Sequence, residues 1–138
     1  MNKIFFADVE CTAFHLAKEL MSFNEPIPNF KTRFPNILES CVVTPFQMFN
    51  KKSLYKGLLG KAAMLFYLMI KNHPFQNGNK RIAIITLLVF LYKNKKWLNV
   101  DQQEFYKFAV WVAESDADKK DQVIGGIEFF LKKYLVTL

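Results

Sequence analysis

Two apolar segments separated by a short polar loop set the tightest limit on how this chain can fold. Ala62 to Ile70 is continuously apolar, and Ile82 to Tyr92 is apolar apart from Thr86. A segment apolar on every side has no face to offer water, so both are expected as helices buried at the centre of a helical domain. Their connection, His73-Pro-Phe-Gln-Asn-Gly-Asn-Lys-Arg81, is polar and cationic, whereas a simple reversal would need only its Asn-Gly pair.

The far end of that loop suits an anion. Gly78 and Asn79 precede the first turn of the second helix, whose backbone N–H groups have no intrahelical acceptor and point outward. Gly78 allows close approach of a phosphate, and Asn79 is expected as the helix N-cap. Lys80 adds a point charge and Arg81 a planar fork of donors. His73 is the loop's one group able to exchange a proton near neutral pH, and it is expected across from the anion site. An ordinary surface turn, with a capping histidine and solvated cations, would explain each residue singly but not all of them together.

This loop resembles the signature of the Fic/Doc family, roughly His-x-Phe-x-acidic-Gly-Asn-Gly-or-Lys-Arg, and Lys80 makes it similar to the Doc branch. The likeness extends to Leu38-Glu-Ser40, to Ile70-Lys-Asn-His73 and to the stretch from Arg81 to Trp97. The resemblance implies that residues 1–138 form one all-α, Fic-like bundle of about six helices with a short extended flap. It also implies roles. His73 would be the general base for a Ser, Thr or Tyr hydroxyl of a target protein, and Phe75 would anchor the loop. Gly78, Asn79, Lys80 and Arg81 would hold the phosphates of ATP, the co-substrate.

Within the family, AMP-transferring members and the phosphoryl-transferring Doc toxin bind the nucleotide in opposite directions. Lys80 stands where AMP-transferring members usually have glycine, and Ile84 stands at their second motif arginine. Both positions favour phosphoryl transfer, with elongation factor Tu as the target that the Doc likeness implies. AMP transfer is the alternative reaction. Asn77 departs from the pattern, since the family places an acidic Mg²⁺ ligand there and a neutral amide oxygen binds Mg²⁺ more weakly. A non-catalytic nucleotide-binding or partner-binding module is therefore a third reading.

The family also implies a flap beside the active loop. Val43 to Lys51 alternates apolar and polar residues around Pro45, which suits an extended edge. Thr44, Phe46, Gln47 and Met48 are its expected target-docking residues, offering a strand edge to the substrate backbone. No segment here has the Ser/Thr-x-x-x-Glu-Gly/Asn pattern by which many Fic proteins block their own site. A Doc-like toxin would then be inhibited by a separate antitoxin, seated in an apolar groove near the first helix.

The rest of the sequence bounds these readings. With 138 residues, 51% of them hydrophobic, the chain can bury one substantial core. Its apolar runs are too short to cross a bilayer and it opens on no signal peptide, so a cytoplasmic protein with no membrane association is expected. Cys11 and Cys41 are expected as reduced core residues. The net charge of +7 fits nucleotide or an acidic partner, and no nucleic-acid motif accompanies it.

Periodicity places a first helix from Ala7 to Ser22, with Val9, Ala13, Leu16 and Leu20 on its buried face. Cys11, His15 and Glu19 share another face at metal-like spacing but lack a fourth ligand. Pro26 and Pro28 break the chain. Further helices are expected over Pro35–Val42, Ser53–Asn72, Asn79 or Lys80 to Lys93, from Asp101 onward, and Asp118–Tyr134. A turn or strand is expected around Trp97, and Trp111 is expected in the core.

Overall fold

The computed structural model describes residues 1–21 and 27–138. Among them the fold is all-α, with six helices and two short β ribbons. Helix α1 comprises Phe6–Asp8, a π turn Val9–Ala13 and Phe14–Met21. The others are α2 (Pro35–Val43), α3 (Gly57–Lys71), α4 (Asn79–Lys93), α5 (Gln102–Glu114) and α6 (Lys120–Tyr134). No described helix is long and apolar enough to cross a membrane.

The two greasy helices are α3 and α4, and they pack against each other at the centre. Every residue of α3 from Gly60 to Ile70 is buried, as are Arg81 to Leu87 of α4. Helix α3 is covered by α2, α5 and α6, while α4 is covered by α1 and α5. Neither helix has a wet side to spare, which is why no polar stripe runs along either.

Helix α1 departs from the expected face. Val9, Ala13, Phe14 and Ala17 are fully buried, whereas Leu16 and Leu20 are 37% and 58% exposed. The cause is the π turn, in which the Phe14 N–H bonds to the Val9 carbonyl five residues back. That extra residue in the turn rotates everything after it by one position, so Ala17 replaces Leu16 against the core. Ser22 and Pro26, the expected end of this helix and the following break, lie outside the described residues.

Helix α2 begins at Pro35, whose missing N–H costs nothing in a first turn. The segment after it is not the continuous extended edge expected. Thr44–Phe46 forms a 3₁₀ turn, and only Met48–Phe49 (β1) and Lys52–Ser53 (β2) pair as strands. Asn50 and Lys51 take positive φ values of 51° and 64°, as a two-residue hairpin connection demands. This hairpin consumes Ser53, and α3 therefore starts at Gly57. Its buried Lys61 donates to the Tyr55 carbonyl beneath the hairpin.

Downstream, β3 (Lys96–Leu98) pairs antiparallel with β4 (Leu135–Thr137), placing Trp97 opposite Val136. Asp101 caps α5 by accepting the N–H groups of Gln103 and Glu104. A 3₁₀ turn, Ala117–Lys119, delays α6 to Lys120. Trp111 is not enclosed by the core: it is 48% exposed, stacks on Phe108 and covers Gly126. A Cβ at Gly126 would lie 3.0 Å from the indole, so a larger residue there would have to displace the half-exposed Trp111 ring.

Candidate active site at the loop between the central helices

Helix α3 stops because its chain enters the left-handed region. Asn72 is the C-cap, its N–H bonding to Leu68, and His73 follows with φ of 50°. Glycine usually fills that position because a side chain there is strained. The strain turns an exposed imidazole out of the helix end and into the loop.

Pro74 and Phe75 then dive inward. Phe75 is 1% exposed and lies among Phe14 and Phe30, with ring centroids 5.6 and 5.9 Å away. Gln76 and Asn77 return to the surface, and Gly78 caps α4 with φ 75° and ψ 16°. The expected anchoring role of Phe75 thus has a physical counterpart, a ring enclosed by other rings.

Asn79 is not the N-cap. Gly78 occupies that place, and Asn79 is the first helical residue with its side chain turned inward and 8% exposed. Its amide oxygen accepts the Phe75 N–H at 3.0 Å, and its amide nitrogen donates to the Phe75 carbonyl at 2.9 Å. The same nitrogen lies 3.4 Å from His73 Nδ1. One amide therefore clips the loop shut and touches the imidazole, which a role in capping would not have allowed.

The residues expected to cradle an anion lie together at the start of α4. The first bond within α4 runs from the Ile82 N–H to the Gly78 carbonyl at 2.9 Å, so the N–H groups of residues 79–81 come before it at the helix's positive end. A Cβ at Gly78 would meet Ile27 at 3.1 Å, tighter than an ordinary contact, and the φ of 75° strains any side chain, so glycine suits this floor. Arg81 is 3% exposed, beside the floor of the cradle, while Lys80 is half-buried.

The residues bordering the loop include some that sequence reasoning did not single out. Ile27 flanks Gly78, and the Phe34 N–H donates to the Pro74 carbonyl at 2.9 Å. Between them, Phe30–Thr32 forms a 3₁₀ turn capped by the Asn29 side chain. The Arg33 guanidinium lies over the Phe30 and Phe6 rings at 4.5 and 5.2 Å. From the other side, Lys71 reaches the Ala113 and Ser115 carbonyls and ties the end of α5 to the loop. Prolines and aromatics in this segment mark a turn, but nothing in their order reveals the loop they touch.

Of the four flap residues, Phe46 is anchored away from this loop. Phe46 packs edge-on against Phe90 at 5.5 Å, and Phe90 lies near the far end of α4. That is roughly 16 Å along the axis from Asn79, at the helical rise of about 1.5 Å per residue. Pro45 is buried and Thr44 and Phe46 are half-buried, while Gln47 and Met48 are exposed. The alternation that resembled an edge strand comes instead from a 3₁₀ turn whose apolar residues anchor the hairpin.

Asn77 is exposed and neutral, and among the described residues no three His, Cys, Asp or Glu side chains gather as a metal site. Cys11, on the face where it was aligned with His15 and Glu19, is exposed and free, whereas Cys41 is buried. Among the described residues, the donor set around the loop does not fit a protein-held Mg²⁺, which needs carboxylate oxygens or substrate phosphates. Ile84, at the second motif arginine's place, is 4% exposed and lines an apolar cavity with Leu88, Trp97 and Phe105. It offers a phosphate nothing.

No curated protein and no solved structure matches the chain. The family model described as Fic/DOC family matches residues 10–91, well over half the sequence, including the whole loop from His73 to Arg81. With its all-α architecture and its histidine-to-arginine loop between two buried helices, the chain belongs to the Fic/DOC family.

Proposed function

We propose that this protein is a Doc-like phosphotransferase that moves the γ-phosphoryl group of ATP to a hydroxyl of a target protein. The observation that carries the reading is the pairing of Lys80 beside the anion cradle with a buried Ile84 where AMP-transferring members keep an arginine. Removing that second clamp weakens the AMP-transfer orientation, while Lys80 adds charge at the helix N-terminus.

In this reaction His73 takes the proton of the target hydroxyl. The freed oxygen pair forms the new O–P bond, and the bond from the γ-phosphorus to the bridging oxygen breaks, releasing ADP. The N–H groups of residues 79–81, with Lys80 and Arg81, hold the phosphates and oppose the charge on the transferred group. The Doc likeness supports elongation factor Tu as a first target to test, and a separate antitoxin as the regulator.

Incubation with ATP labelled at the α- or γ-phosphate tests the reaction. Label transferred to protein only from the γ position is expected; transfer from the α position alone would establish AMP transfer instead. Asn77 favours a second reading, a nucleotide-binding module without transfer. Measured ATP affinity with no mass gain on any target, elongation factor Tu included, would select it.

A further inference from the structure

The two ends of the Asn79 amide are told apart by the backbone of Phe75. A backbone N–H only donates, so the atom 3.0 Å from it is the amide oxygen; a carbonyl only accepts, so the atom 2.9 Å from it is the amide nitrogen. Flipping the amide would break both bonds in a site where Asn79 is 8% exposed and water cannot replace them. The atom facing His73 Nδ1 at 3.4 Å is therefore a donor.

A donor fits Nδ1 only when that nitrogen carries a lone pair. We infer that Asn79 is the positioning residue of His73: its amide holds the neutral ring with the proton on Nε2 and the lone pair on Nδ1. Nδ1 is thereby the atom that takes the target hydroxyl's proton, a step that rests on the transferase reading above. The placement suits that step, because Nδ1 is the nitrogen turned toward the first residue of α4, where the anion cradle begins. The contact is also long for a hydrogen bond, so an incoming hydroxyl can displace the amide from Nδ1 while both Phe75 bonds persist. On transfer, the hydroxyl proton moves to Nδ1 and gives an imidazolium protonated at both nitrogens, while the oxygen's electron pair forms the bond to phosphorus and ADP departs.

Long-range ¹H–¹⁵N spectra of the full chain at mildly alkaline pH read the tautomer without any nucleotide. The chain has two histidines, and His15→Gln identifies the His73 signals. The Nε2-protonated form is expected, and Asn79→Asp, which sets a carboxylate oxygen against Nδ1, should convert it to the Nδ1-protonated form. An Nδ1-protonated ring in the unsubstituted chain would overturn the assignment, and that spectrum decides even if Asn79→Asp does not fold. For the base atom, His73→Nε2-methylhistidine keeps the Nδ1 lone pair and should retain transfer. His73→Nδ1-methylhistidine should lower transfer by at least about 100-fold, the usual contribution of a general base. The reverse pattern defeats the role of Nδ1. If the unsubstituted chain transfers no group at all, the transferase reading and the base role fall together, while the tautomer still stands or falls on the spectrum.

Discussion

Phe14 and Phe75 stack with their ring centroids 5.6 Å apart and their planes inclined by 26°, joining the first helix to the loop that carries His73. Phe14 follows directly on the π turn of α1, so an irregular turn near the N-terminus helps to set the floor beneath a loop far along the chain. Phe75→Ala should empty that floor and destabilise the fold by about 3–5 kcal/mol, the usual range for a buried phenylalanine. Urea unfolding measures it. A loss below about 1 kcal/mol would mean that the loop is anchored elsewhere.

His73 sits at φ 50°, a conformation that glycine adopts without strain. His73→Gly should therefore abolish transfer while raising stability by about 1 kcal/mol, a trade between function and backbone comfort. Thermal unfolding beside a transfer assay would check both. A lower melting temperature for the glycine variant would count against the strain argument.

Asn77 is exposed, so a change of one atom there should leave the fold alone. With Asn77→Asp, a charged oxygen becomes available beside the cradle, and Mg²⁺-dependent turnover should rise by roughly tenfold or more, as a metal ligand worth over 1 kcal/mol implies. Titrating Mg²⁺ at fixed ATP gives the comparison. Identical curves for the two proteins would remove position 77 from any part in metal binding.

Two surfaces are candidates for docking the target protein that the proposed reaction requires. The exposed hairpin around Gln47 lies toward the far end of α4, whereas a cleft of about 330 Å³ lined by Asn36, Ile37, Ser40 and Asn72 lies next to His73. Ile37→Asp should raise the KM for the target with ATP affinity unchanged, and Gln47→Asp should have the smaller effect. A larger KM change at Gln47 would restore the hairpin as the main docking element.

The two cysteines should behave as different groups. Burial pushes the Cys41 thiol from 9.0 up to about 12, and its Sγ donates to the Leu68 carbonyl, whereas Cys11 is exposed. A thiol reagent should titrate one cysteine in the native protein and both after denaturation. The folded pKa is raised, so the protonated thiol's contribution to stability is complete below 9.0 and is lost as pH climbs from there toward about 12. Cys41→Ala should flatten that alkaline decline; an unchanged decline would assign it to other groups.

The two apolar runs determined the central helix pair before any coordinates, because a segment without a polar face can satisfy water nowhere except inside. The loop was partly legible: Gly78 at positive φ and His73 at a helix end follow from local chemistry that neighbours do not overturn, while the buried Phe75 was implied by the Fic/Doc resemblance alone. What the sequence left open were matters of which distant residues meet. The π turn that buries Ala17 in place of Leu16 keeps the composition of α1 and changes only its rotation, so no helical periodicity could reveal it. Asn79 reads as a cap by residue type, yet the backbone of Phe75 curls close enough to claim its amide and point the remaining proton at His73. The hairpin's distance from His73, and the approach of Ile27 and Phe34 to the loop instead, arise from how α2 runs between Pro74 and Phe90. Local chemistry depends on neighbours in sequence; these contacts depend on packing, which only the assembled fold decides.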